Sequence, residues 1–309
     1  MSKLAFVFPG QGSQSVGMLA DLAVAHPVVR DTFVQASDAL GYDLWALTQN
    51  GPEADLNQTE KTQPALLTAG IAIWRAWQQA GGAAPAYMAG HSLGEYTALV
   101  AAGSLSLEDG VKLVALRGRL MQDAVPAGEG AMAAILGLDD AVVQQCCAEA
   151  SAVGVVAAVN FNAPGQVVVA GAAPAVAKAI ELLKAAGAKR ALPLPVSVPS
   201  HCALMKPAAE KLQEAFAGIT FNAPVIPVVQ NVEARVESSV DAMRDALIRQ
   251  LYSPVQWVRS VEQLSSLGVG RALECGPGKV LCGLNKRIVK ELDGASLENA
   301  ESFQAALAG

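Results

Sequence analysis

The sequence predicts an α/β protein: a large domain spanning residues 1–125 and 206–309, interrupted at 126–205 by a small domain of element order β-α-β-β-α-β. Three observations carry this. The chain of 309 residues is 52% hydrophobic and 16% charged, enough apolar material for a sizeable core. Aromatics make up only 5%, and Ala, Val and Leu, the residues that fill helices and buried parallel strands, dominate. The texture changes after Gly128-Glu129-Gly130, where short strands crowd around a tight Asn162-Ala163-Pro164-Gly165 turn.

Taken in order, residues 4–8 read as a buried strand entering the loop Pro9-Gly10-Gln11-Gly12-Ser13-Gln14. Pro64 is placed to open a helix at its first position, running through Ile71, Trp74 and Trp77 to Gly81-Gly82. A strand at 86–89 precedes a helix at 93–102 stopped by Gly103. Ser106-Leu107-Glu108-Asp109 resembles an N-terminal cap, with Asp in place of the usual Glu, for a helix reaching about Gln122. The small domain follows as strand 131–136, helix 139–150, strands 153–160 and 166–170, helix 174–186 and strand 189–196. That order is the ferredoxin-like one. The large domain resumes with helix 206–217, strand 225–229, helices 240–251 and 255–267, strand 270–274 and a helix over 279–292. The Ala-rich tail after 293 is expected to fray.

Composition excludes several functions. No apolar run approaches the length of a membrane span. The first ten residues are too short and too soon interrupted for a signal peptide, so a cytoplasmic protein is expected. Five cysteines without a C-x-x-C, and three histidines without H-E-x-x-H, suggest neither a disulfide framework nor a metal site. A formal net charge of −6 disfavours non-specific nucleic-acid binding. Gly10-Gln11-Gly12 lacks the spacing of a dinucleotide loop. With no coiled-coil or conspicuous interface pattern, a monomer is expected.

The chemistry is carried by Gly90-His91-Ser92-Leu93-Gly94, a G-x-S-x-G. The pattern alone is weak, because a Ser capping a helix after a Gly-rich turn looks the same. Its place between a short strand and a helix is what a nucleophile elbow requires. The helix N-terminus would also set N–H groups beside a developing oxyanion. A nucleophilic serine needs a base. His91 lies inside the elbow and His26 precedes Pro27, leaving His201, after an extended segment that leaves the small domain, as the candidate. No Asp or Glu stands out as a third member. Arg117 lies on the apolar face of its helix, among Leu113, Val114, Leu120 and Met121. A buried guanidinium needs an anion. Glu95 and a substrate carboxylate are equally good partners at this stage.

These residues resemble the malonyl-CoA:acyl-carrier-protein transacylases and the acyltransferase domains of fatty-acid and polyketide synthases. The resemblance spans nearly the whole chain. It rests on Phe8-Pro9-Gly10-Gln11-Gly12-Ser13-Gln14, Thr62-Gln63-Pro64-Ala65-Leu66, Gly90-His91-Ser92-Leu93-Gly94-Glu95, Arg117-Gly118-Arg119-Leu120-Met121 and the run from Asn160 to Gly171. Ser200-His201, Pro254-Val255-Gln256-Trp257 and Glu274-Cys275-Gly276-Pro277-Gly278-Lys279-Val280 complete it. It implies an α/β-hydrolase-like large domain with a ferredoxin-like small one. It implies ping-pong transfer of malonyl from malonyl-CoA to acyl carrier protein, in fatty-acid biosynthesis, through a malonyl-Ser92 ester and without a cofactor. His201 would be the base, oriented by the Gln250 main-chain carbonyl, and the N–H groups of Gln11 and Leu93 would form the oxyanion hole. Arg117 would hold the malonyl carboxylate, and Asn160 and Asn162 would face the CoA or pantetheine entrance, although by default both are turn residues. One position departs: malonyl-selective synthase relatives often carry an aromatic residue where Ser200 stands, which leaves exclusion of α-methylated substrates open.

Carrier proteins of this kind are acidic, so their docking patch should be basic. Lys189-Arg190 is one candidate; Lys279, Lys286, Arg287 and Lys290 on the 279–292 helix are another, a plain solvated face being the alternative. A serine thioesterase would need the same dyad but gain nothing from a buried Arg117. A silent CoA- or carrier-binding module would need neither Ser92 nor His201.

Overall fold

The computed structural model describes residues 2–196 and 198–309; Ser197, within the extended segment before His201, lies outside the described residues. In chain order the strands are β1 (Lys3–Phe8), β2 (Tyr87–Gly90), β3 (Gly130–Leu136), β4 (Val156–Ala163), β5 (Gln166–Ala172), β6 (Arg190–Pro193), β7 (Val228–Val229), β8 (Val269–Glu274) and β9 (Asp293–Ser296). They fall into two sheets.

The larger sheet has the order β7-β2-β1-β8-β9, with every neighbouring pair parallel. β1 takes the centre because Ala5, Phe6, Val7 and Phe8 are fully buried, so both faces can be covered. On one face Trp74 and Trp77 of helix Thr59–Gln79 meet Phe6 edge-on at 5.2 and 5.5 Å. On the other, Ala5 and Val7 pack with Trp257, Val261 and Leu264. Phe8 pairs with Gly90 and Val7 with Glu274, so the loops after β1, β2 and β8 leave from one edge. In parallel α/β sheets that edge is where ligands bind.

The smaller sheet is antiparallel, in the order β4-β5-β3-β6. Helices Asp140–Ala150 and Ala173–Ala185 cover one face, through Val143, Cys147, Val176 and Leu183. Met132, Val159, Val168 and Ala170 on the other pack with Cys202, the neighbour of His201. Two backbone hydrogen bonds tie this sheet to the rest: Phe161 N–H to Val255 O at 3.0 Å and Val255 N–H to Val159 O at 2.8 Å.

Several expected elements move. Helix Thr59–Gln79 carries Pro64 inside it instead of at its start. Its first turn is held instead by the Thr62 hydroxyl, which donates to Leu56 O at 2.6 Å and Gln58 O at 3.1 Å. Four short helices precede it (Ala20–Ala25, Val28–Leu40, Leu44–Asn50 and Glu53–Leu56) in a stretch the sequence left unassigned. The strand expected at 153–160 starts at Val156, after a 3-10 turn at Ser151–Val153, and runs to Ala163, so Asn162 and Ala163 belong to the strand and the turn narrows to Pro164-Gly165. The strands expected at 189–196 and 225–229 shorten to β6 and β7.

The helix expected over 279–292 is Val280–Ile288. Lys279 is only its N-cap and Lys290 lies beyond it, so the two do not share a helical stripe with Lys286. The tail does not fray: β9 pairs with β8, and helix Ala300–Ala308 opens on a capping box of Asn299 and Ser302. One aromatic anchors it. Phe303 is fully buried, 5.8 Å from the Trp77 ring and 4.7 Å from that of His26. Among the described residues no helix is long and apolar enough to cross a membrane, and no group of three His, Cys, Asp or Glu could hold a metal. All five cysteines are free.

Candidate active site

Ser92 stands where β2 turns into helix Leu93–Ala101. A Cβ on Gly90 would lie 1.8 Å from the Gly94 carbonyl carbon, and one on Gly94 would lie 2.0 Å from Phe8 O. Only glycine fits either place, which is why the motif needs both. Ser92 itself holds φ 53° and ψ −109°, a conformation costing on the order of 1–3 kcal/mol for a non-glycine residue. Partners on two remote segments hold it there. Its N–H donates to Asn231 Oδ1 at 2.8 Å, and its carbonyl accepts from Gln250 Nε2 at 2.9 Å.

His201 also adopts a positive φ, 64°. Its Nδ1 lies 2.7 Å from the main-chain oxygen of Gln250. That carbonyl ends helix Val240–Gln250, where no further turn supplies a donor. A carbonyl only accepts, so the proton sits on Nδ1, and Nε2 turns its lone pair to Ser92 Oγ at 2.7 Å. Burial, then the nearby Arg117 charge, pushes the His201 pKa down to about 3. The imidazole is therefore neutral, the form able to accept a proton. The other histidines are engaged elsewhere: His91 Nε2 meets Asn162 Oδ1 at 2.7 Å, and the His26 ring packs at a tilt against Phe303.

Arg117 is fully buried on helix Leu107–Ala124. It donates to Gln63 Oε1 at 2.7 Å, to Gln250 Oε1 at 3.0 Å and to Ser92 Oγ at 3.3 Å. Glu95, one of its two candidate partners, does not form an ion pair with it; the Gln250 amide stands between, donating to Glu95 Oε2 at 2.9 Å. Arg117 Nε has no partner among the described residues. A buried cation whose nearest acceptors are amide and hydroxyl oxygens is short of an anion.

Gln11 follows β1 and Leu93 opens the helix after Ser92; neither backbone N–H donates to an acceptor among the described residues. A cavity of about 240 Å³ opens beside the elbow, lined by Gly10, Gln11, His91, Asn162, Val280 and Leu284 among others. Asn160 is buried on β4. The basic candidates lie on separate elements: Arg190 exposed on β6, Lys286 and Arg287 exposed on helix Val280–Ile288. Arg287 also spans the two sheets' regions, donating to Pro164 O at 3.1 Å and to the Gln166 side chain.

Sequence reading missed Gln63, Gln230 and Asn231 as parts of this site, and the side chain of Gln250. Gln63 gave a signal, a polar residue on an apolar helix face. Asn231, in the loop after β7, gave none, since an Asn in a loop is unremarkable.

Comparison with known proteins places the chain as a whole. Residues 5–300 match the family described as an acyl transferase domain. The chain is 62% identical over 307 residues to the malonyl CoA-acyl carrier protein transacylase of Escherichia coli K12, covering 99% of each. An acyl carrier protein S-malonyltransferase from Vibrio cholerae superposes with a TM-score of 0.97 at 61% identity, covering 98% of this chain and 99% of that one. A malonyl-transacylase solved in complex with its type II PKS acyl-carrier protein superposes at 0.98 with 59% identity, covering 99% of each chain. A strained serine, a neutral histidine and an arginine short of an anion, carried on a chain this similar over its full length, leave one assignment: it belongs to the acyl transferase family, among the malonyl-CoA:acyl-carrier-protein transacylases.

Proposed function

We propose that the protein transfers malonyl from malonyl-CoA to the phosphopantetheine thiol of acyl carrier protein, for fatty-acid biosynthesis, through an ester on Ser92. The observation that carries this reading is Arg117: a buried guanidinium 3.3 Å from Ser92 Oγ, without a carboxylate in contact among the described residues. The malonyl carboxylate is the missing anion, and an arginine fork suits two-point contact with it. Ser92 Oγ attacks the thioester carbonyl while His201 Nε2 takes its proton, and the Gln250 carbonyl keeps the imidazole in the required tautomer. The N–H groups of Gln11 and Leu93 receive the oxyanion, each such donor being worth about a hundredfold or more in rate. His201 gives that proton to the CoA thiolate as it leaves; in the second half it accepts the carrier's thiol proton and gives it to Ser92 Oγ as the ester bond breaks. No step calls for a cofactor.

Asn160 and Asn162 would line the pantetheine entrance, and Arg190, Lys286 and Arg287 would contact the acidic carrier. We read the larger sheet and its helices as an α/β-hydrolase-like domain, residues 1–125 and 206–309, and 126–205 as a ferredoxin-like insert; the β4-β5-β3-β6 order supports this. The protein acts as a cytoplasmic monomer in this reading.

Intact-protein mass after mixing with malonyl-CoA tests it. One malonyl adduct on the unmutated enzyme, absent in Ser92→Ala and discharged by carrier protein, is the expected result. CoA release without carrier acylation would make it a thioesterase instead.

A further inference from the structure

Ser92-Leu93-Gly94-Glu95 has the spelling of a helix capping box, S-x-x-E. In that box the serine oxygen caps the N–H of the fourth residue and the glutamate reaches back to the serine N–H. Neither bond forms. Ser92 stands at the N-cap position, but its side chain caps nothing. Glu95, fully buried, turns inward and meets donors on two segments. Its Oε1 accepts from Gln230 Nε2 at 3.1 Å, and its Oε2 accepts from Asn231 N–H and Gln250 Nε2, both at 2.9 Å.

The two Oε2 partners are the residues that hold the dyad. Asn231 Oδ1 takes the Ser92 N–H at 2.8 Å, the bond a capping-box glutamate would have taken, while its Nδ2 donates to Gly90 O at 2.6 Å. Gln250 supplies the carbonyl for His201 Nδ1 and the amide oxygen for Arg117. Asn231 therefore relays the glutamate to the serine N–H, and Ser92 Oγ remains free for chemistry. Building on the dyad assigned above, we propose that Glu95 is the positioning residue of this site, setting Ser92 through Asn231 and His201 through Gln250.

Glu95→Gln separates hydrogen bonding from charge. A glutamine oxygen can keep both Oε2 bonds, and its NH₂ can face Gln230 once that amide turns, because Gln230 Oε1 has no partner among the described residues. The test measures the rate of malonyl-Ser92 formation in a single turnover, with unfolding temperature measured beside it. Glu95→Ala should slow acylation by about 100-fold with little change in KM, and Glu95→Gln should recover most of that loss. Asn231→Ala, which removes the side-chain bonds to Ser92 N–H and Gly90 O and leaves all three Glu95 bonds because Asn231 donates to Glu95 from its backbone, should also slow it, and serves if Glu95→Ala does not fold. Acylation by Glu95→Ala or Asn231→Ala at the parent rate would overturn the proposal, as would Glu95→Gln as slow as Glu95→Ala. The same variants are treated with a small sulfonyl fluoride, which reports Ser92 reactivity without any malonyl group. If the unmutated enzyme formed no malonyl ester, the transacylase reading would fail, and the sulfonyl fluoride rates would still judge Glu95.

Discussion

The two sheets differ in what they bury. Around the carboxyl edge of the parallel sheet lie Gln63, Glu95, Arg117, Gln230, Asn231 and Gln250, all buried; between 126 and 196, Asn160 is the one buried polar side chain among the described residues. The antiparallel sheet is an apolar scaffold that braces the His201 loop through Cys202. The parallel side accepts the desolvation of a cation and a carboxylate, and offsets it by bonding their neighbours to one another. Burial outweighs the pull of Gln250, Asn231, Gln230 and Arg117 and leaves the Glu95 pKa pushed up to about 7. Polar burial on one side only is a mark of where chemistry is done.

That contrast can be tested at three depths. The deepest is the cation. Arg117→Met leaves the cavity filled but removes the charge, and should cost malonyl-enzyme formation about 10²–10³-fold, as truncating one partner of a buried charge pair does. Acetyl-CoA should lose little or gain. Equal losses for both acyl groups would mean that the buried charge serves the fold and not an anion. Next is the surface where the two regions meet. Charge reversal at Lys286 and Arg287 should raise the KM for carrier about tenfold while leaving acylation by malonyl-CoA near its parent rate. An unchanged carrier KM would remove this helix from the docking face.

The smallest effect is in pH. His201, pushed down to about 3, cannot give the usual histidine limb near neutrality. Glu95, near 7, gains a proton as pH falls, and one of its three donors then loses its acceptor, so acylation by the free enzyme should fall about threefold below neutrality. Arg117 from the facing helix and Tyr96 on its own are the other titratable groups acting on this cluster; burial raises the Tyr96 pKa, and a guanidinium stays protonated through that range. The limb should vanish in Glu95→Gln. If it persists there, His201 titrates near its ordinary value and the assigned burial effect is wrong.

Legibility in the sequence followed the range of the interaction. The central strand, the elbow and the Ser106 cap read clearly, since each depends on neighbours a few positions away; the Ser106 oxygen does accept from Asp109 N–H, at 3.0 Å. The terminal helix was illegible because one Phe303 in an alanine-rich tail looks like nothing until Trp77 is beneath it. Pro64 was misplaced because a rule about isolated helix starts was outweighed by tertiary burial of Thr62 and Gln63.

By itself the sequence determined that a serine sits on a glycine-bounded turn between a strand and a helix, because the Gly90 contacts that exclude a Cβ come from Gly94 and Glu95 within the turn, whereas the one at Gly94 comes from Phe8 on β1. It also determined that Arg117 must be buried, because helical periodicity is local. Only the tertiary structure decided what meets that guanidinium. Gln63 and Gln250 arrive from 54 and 133 positions away, and Glu95 is held one amide short of contact. Which groups are brought together across such separations depends on how whole elements pack, and no local pattern records it.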